Sequence, residues 1–202
     1  MTQDTPKKIL FVIDSLSSGG AEKSLTNLLS LLDERKYSIT LLVVKKGGLY
    51  EAVLPDSVRY EQIPMPSMQQ GRVRKVLFSL LVRLNVWTGR KIHPAQLHWF
   101  FCNTVYAPVE QSYDVAIAYS QGFPTYYVAS KVVARKKYCW LNTNYQKAGY
   151  IARLDRLYYQ QFHKVIAVSN EAKKQFLTAH KNTDYQVEII YDIMSAALVK
   201  QM

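Results

Sequence analysis

Short apolar runs recur along the chain, each followed by a turn and then by a stretch whose apolar residues return every three or four positions. Ile9 to Ile13, behind Lys7 and Lys8, is too short for a helix and has polar edges, so it predicts a strand buried on both faces. Asp14 to Gly20 is a turn of small residues. From Ala21 the period changes: Leu25, Leu28, Leu29 and Leu32 form the stripe of a helix packed on a sheet. Tyr37 to Val44 is a second buried strand, Lys45 to Gly48 a turn and Leu49 to Leu54 a short helix. Val58 to Ile63 predicts an edge strand ended by Pro64 and Pro66. Helices are expected over Gly71–Trp87, Ala95–Tyr106, Thr125–Ala134, Gly149–Gln161 and Asn170–His180, the last capped by Ser169 or Asn170. Strands are expected over Tyr113–Tyr119, Lys137–Leu141, Lys164–Ser169 and Gln186–Tyr191.

Strands alternating with helices imply an α/β fold with a doubly wound, mostly parallel, Rossmann-like sheet. Ligands of such sheets bind beyond the carboxyl ends of the strands. The loops that matter are then Asp14–Gly20, Tyr119–Pro124, Asn142–Lys147 and Ser169–Asn170. The first of these makes an anion site, because unpaired backbone N–H groups converge where the helix dipole is positive. Gly19 and Gly20 let a phosphate approach without a Cβ in the way. The same glycines also suit a tight strand-to-helix turn that needs them for geometry alone. The turn is Ser-Gly-Gly-Ala-Glu rather than G-x-G-x-x-G, which disfavours a nicotinamide enzyme.

Composition narrows the class. At 202 residues, 49% apolar and 20% charged, the chain is globular and sized for one domain. Cys102 and Cys139 make neither a disulfide framework nor a metal spacing, and a reducing compartment fits. No secretory leader is expected from MTQDTPKK, and no apolar run reaches the ~18 residues of a membrane span. His93, His98, His163 and His180 have no ligand-like spacing, so no metal site is expected. The formal charge of +11 points to nucleic acid, an anionic membrane or phosphorylated substrates. Nucleic acid is set aside, since no recognition motif accompanies the charge.

KILFVIDSLSSGGAEKSLTNLLSLL resembles the opening of retaining glycosyltransferases of the GT-B fold, family 4. YDVAIAYSQGFPTYYVA, KKYCWLNTNYQKAGY, FHKVIAVSNEAKKQFL and VEIIYDI are similar to further segments of that family, in the same order and covering nearly the whole chain. The resemblance implies the N-terminal, acceptor-binding half of a two-domain transferase, with the domain over residues 1–191 and an interdomain linker beginning over 192–202. The donor half, with its E-x7-E pair, would be absent from this chain or carried on a separate subunit. It implies no tightly bound cofactor, a nucleotide-sugar donor as co-substrate, and a glycan or lipid-linked sugar acceptor in surface polysaccharide biosynthesis. The expected place is cytoplasmic, peripheral to the inner face of the membrane. A non-catalytic glycan- or lipid-binding module is the alternative.

By that resemblance Gly19 and Gly20 donate backbone N–H groups to the donor phosphates and stabilise the leaving diphosphate. Glu22 either joins that site or closes a capping interaction on the helix start. Asn142 stands at the family's catalytic histidine and Asn144 at an aspartate; asparagine binds a hydroxyl but cannot shuttle a proton near neutral pH. Asn142 and Asn144 also suit a role in satisfying a loop backbone. Gln121 and Gly122 either face the acceptor or form an ordinary turn.

Gln62 to Val109 contains no Asp or Glu, yet holds Arg72, Arg74, Lys75, Arg83, Arg90 and Lys91. On a helix, Arg72, Lys75, Ser79 and Arg83 fall on one side, and Leu77, Leu80, Leu81, Leu84 and Trp87 on the other, with Phe78 near the border. Arginines reaching anionic head groups with leucines and Trp87 entering the acyl boundary would make an interfacial helix. The competing expectation is an ordinary helix whose leucines face the core.

Overall fold

The computed structural model describes residues 5–64, 68–87, 92–181 and 183–193. Seven parallel strands form one sheet: β1 (Lys7–Ile13), β2 (Tyr37–Val43), β3 (Arg59–Gln62), β4 (Ser112–Ala118), β5 (Val133–Leu141), β6 (Lys164–Ala167) and β7 (Val187–Ile189). Their order is β3-β2-β1-β4-β5-β6-β7, so the direction of winding reverses between β1 and β4. Register runs from Ile9 opposite Ile39 on one side of β1 to Ile9 opposite Val115 on the other. The helices are α1 (Gly20–Leu31), α2 (Met68–Trp87), α3 (Pro94–Cys102), α4 (Phe123–Lys131), α5 (Ala152–Tyr159) and α6 (Asn170–Ala179).

Side-chain alternation in β1 explains why the sheet is covered twice. Leu10 and Val12 face a core shared with Trp99 of α3, Tyr126 and Val128 of α4, Tyr159 of α5 and Phe176 of α6. Ile9, Phe11 and Ile13 face the opposite core with Leu25 and Leu29 of α1. A strand apolar on both sides reads as a continuous run, as β1 does. Each aliphatic side chain removed from water in this way contributes ~1.5–3 kcal/mol.

The expected elements are present, with shifted ends. The sheet is parallel throughout the described residues, with β3 at one edge and β7 at the other. Helix α4 starts at Phe123 because Pro124 favours a first-turn position, and it stops at Lys131. Strand β5 then begins at Val133 rather than Lys137, because the β4 ladder is entered at Ser112 opposite Val133. Helix α5 begins at Ala152 rather than Gly149: Gly149 sits at φ +81 and Ile151 is extended. Glu51–Val53 and Asn103–Val105 are single 3-10 turns rather than parts of longer helices. Ser169 is the cap of α6, its hydroxyl accepting from Ala172 N at 3.1 Å.

After β7 the chain crosses to α1. Ser24 Oγ donates to Asp192 Oδ1 at 2.7 Å and Asn27 Nδ2 to the Ile193 carbonyl at 2.9 Å. These bonds account for two polar side chains buried on the inner side of α1. Most of the expected linker, residues 194–202, lies outside the described residues, as do Arg90, Lys91 and the side chains of Arg72, Arg74 and Lys75.

Candidate functional site

All four expected loops open on the carboxyl end of the sheet, and the two flanking the reversal point are tied together. Ser120 Oγ, just past β4, donates to Asp14 Oδ2, just past β1, at 2.8 Å. The Asp14 carbonyl accepts from Val44 N and Lys45 N, which ties in the loop after β2. Gly48 is required there: a Cβ would stand 2.2 Å from the Leu16 carbonyl oxygen. Asp14 meets solvent at the mouth of the crevice, yet protein walls displace much of the water around it. That desolvation pushes its carboxyl above the ordinary value, the Ser120 hydrogen bond opposes the rise, and the charge of Glu22 adds to it.

Gly19 is the cap residue of α1 and Gly20 its first residue. Gly20 is open, with nothing within 4 Å of an added Cβ. Gly19 is covered by the folded-back Glu22 side chain, whose Oε2 lies 2.2 Å from the place a Cβ would take. Glu22 therefore belongs to the glycine turn itself. With Asp14 it puts two interacting carboxylates beside the helix start.

On the other side of the crevice, Asn142 Nδ2 donates to the Tyr119 carbonyl, so Asn142 shares the rim with the glycine turn. This bond fixes the orientation of the amide, and Asn142 Oδ1 is left as a buried acceptor without a hydrogen-bond partner. Gln121 is buried and turned toward the loop after β5: its Oε1 accepts from Thr143 N and Thr143 Oγ1, both at 2.9 Å, and its Nε2 donates to the Thr143 carbonyl at 3.1 Å. Asn144 Oδ1 accepts from Lys147 N at 3.0 Å and shapes the same loop. Gly122 caps α4 at φ +83, where a Cβ would stand 2.8 Å from the Tyr150 hydroxyl and 3.1 Å from Ala95 Cβ. Tyr150 stacks on His93, with ring centroids 3.9 Å apart, and His93 Nδ1 accepts from Ala95 N at the start of α3.

Beneath this rim lies a residue that sequence reasoning missed. Asp155, 1% exposed, accepts from Tyr126 Oη at 2.7 Å, from Gln96 Nε2 at 2.6 Å and from Tyr145 Oη. Gln96 also brackets the start of α5, donating to the Ile151 carbonyl and accepting from Ile151 N. Burial raises the Asp155 carboxyl, opposed by its three donors, and holds both tyrosine hydroxyls protonated. No local pattern in IARLDRLYY announces this, since its partners come from α3, α4 and the loop after β5. A depression of about 370 Å³ lined by Tyr159, His163, Lys164 and Tyr185 lies at the amino ends of β6 and β7, away from these loops. Among the described residues no three His, Cys, Asp or Glu side chains come together as metal ligands.

No family profile matches the chain, and no curated protein matches it. Its fold is similar to that of Anabaena Alr3699/HepE, solved in complex with UDP-glucose, at 17% identity and a TM-score of 0.56. The alignment covers 95% of this chain and 45% of that one. The structure of the same Anabaena protein with UDP and glucose is similar to the same degree, with 46% of it covered. The chain thus spans less than half the length of these structures, and the likeness is one of fold.

Proposed function

We propose that this chain is the acceptor-binding half of a sugar-nucleotide-dependent glycosyltransferase of the family 4, GT-B type. It would work on a glycan or lipid-linked acceptor in surface polysaccharide biosynthesis, at the cytoplasmic face of a membrane. One observation carries the reading: an open glycine at the start of α1, at the point where the sheet's winding reverses, in a fold shared with a protein solved with UDP-glucose. In this reading residues 1–191 form the acceptor domain and 192–202 begin the linker.

The chemistry follows from the rim. The Gly20 N–H and the start of α1 favour the charge that develops on a leaving diphosphate, provided Glu22 swings off Gly19. Asn142 Oδ1, an unpaired acceptor buried at the rim, would meet a sugar hydroxyl only if the loop after β5 moves aside, and its amide cannot take a proton near neutral pH. Gln121, Gly122 and Asn144 hold the loops in place. Asn142 at the family's histidine position also favours a second reading, a glycan- or lipid-binding module without turnover, or an acceptor subunit that a separate donor chain completes.

The test is nucleoside diphosphate release from nucleotide-sugars, with the chain alone and with a donor domain supplied. Release only in the second case is expected. Release in neither, with no nucleotide-sugar binding, would leave the module reading in place.

A further inference from the structure

Helix α2 carries a stripe of large apolar side chains that the fold does not bury. Val73, Val76, Leu77, Leu80, Leu84 and Trp87 recur at three- and four-residue spacing and are 48% to 83% exposed. The opposite side of the helix packs on α3 through the half-buried Phe78, whose ring meets His98 edge-on at 5.6 Å. Val82, also half-buried, lies on that side by its helical position. Leu77, Leu80 and Leu84 therefore do not face the core, and the ordinary-helix expectation fails at these positions; the side chain of Leu81 lies outside the described residues. Exposed apolar side chains aligned over more than three helical turns mark an interaction surface rather than scattered surface residues.

We infer that this stripe lies in the interface of an anionic lipid bilayer, with α2 parallel to the membrane plane. Charge selects the occupant. Residues 63–109 contain no Asp or Glu, bases at positions 72, 74 and 83 flank the apolar stripe by their helical positions, and Arg83 is exposed. A second copy of the chain would bring another +11 against this surface. An anionic lipid surface attracts each base and accepts the leucines and the indole at the acyl boundary. No helix among the described residues is long and apolar enough to cross a membrane, so α2 lies on the bilayer.

The placement has a consequence for the crevice. Trp87 and Pro94 are seven residues apart, so the Trp87 end of α2 lies within about 25 Å of the start of α3. The start of α3 packs on Gly122 and Tyr150 at the rim. A bilayer under α2 would bring a lipid-anchored molecule toward that mouth. The surface rests on α2 alone, so an absence of nucleotide-sugar chemistry leaves it standing.

Trp87 reports the contact directly, because it is 83% exposed while the other two tryptophans, Trp99 and Trp140, are 2% and 8% exposed. Tryptophan emission is measured with phosphatidylglycerol and with phosphatidylcholine vesicles, alongside co-sedimentation. A blue shift with phosphatidylglycerol alone is expected, lost in Trp87→Phe and weakened by salt. Arg83→Ser weakens binding roughly fivefold, and Ser at 72, 74 and 83 together by roughly a hundredfold. Leu77→Ser with Leu80→Ser reduces binding while keeping the melting temperature within about 2 °C, both sites being exposed. Unchanged emission without co-sedimentation, or a concentration-dependent dimer abolished by the same leucine pair, would overturn the inference.

Discussion

Ser120 grips Asp14 at 2.8 Å across the one place where the sheet changes its direction of winding. The bond joins two loops that share no sequence proximity and sets the width of the crevice between them. Ser120→Ala removes the donor that offsets desolvation, so the Asp14 carboxyl rises further above its ordinary value. A carboxyl raised on folding contributes stability below its unfolded pKa and loses it as pH rises through the folded value. The variant is expected to lose ~1 kcal/mol of stability near neutral pH. NMR titration of the Asp14 carboxyl, with urea unfolding at two pH values, checks both.

Gly20 separates the two readings of the glycine turn. Its Cβ position is empty, and alanine suits a first helical turn better than glycine. Gly20→Ala should therefore leave stability unchanged or raise it by ~0.5 kcal/mol. If a diphosphate approaches this backbone, the added methyl weakens its binding by roughly tenfold or more. Calorimetric titration with UDP decides the matter, and equal affinity in both proteins would mean the glycine serves the fold alone.

Asp155 binds three helices and a loop together by hydrogen bonding. Asp155→Ala leaves the Tyr126 and Tyr145 hydroxyls and the Gln96 amide without their buried acceptor. Three orphaned donors predict a loss of ~3 kcal/mol or more in urea unfolding. Asp155→Asn keeps one oxygen and should fall between this variant and the parent.

His180 is an acid-sensitive point. It is 4% exposed among the rings of Tyr145, Tyr159, Phe176 and Tyr185, and its Nε2 has no hydrogen-bond partner. Burial pushes its pKa down from 6.5 to about 4. The unfolded chain binds the proton first, so stability is full above pH 6.5 and falls as pH drops toward 4, by roughly 1–3 kcal/mol. His180→Phe should flatten that slope. Unfolding midpoints at pH 7, 6, 5 and 4 provide the comparison.

Local pattern alone specified the strands, the glycine turn of α1, a cap of α6 at Ser169 or Asn170 and the alternation that makes a doubly wound sheet. Each of these is written in neighbouring residues, where period and capping act over one or two turns. Tertiary structure decided the rest. It turned Gln121 toward Thr143, exposed Leu77, Leu80 and Leu84 of α2 and assembled the Asp155 cluster from separate elements. Those outcomes depend on which face of a helix finds a partner and which polar atoms meet across the fold. Spacing along a chain does not encode them, because the atoms concerned become neighbours only when the sheet brings its loops to one rim.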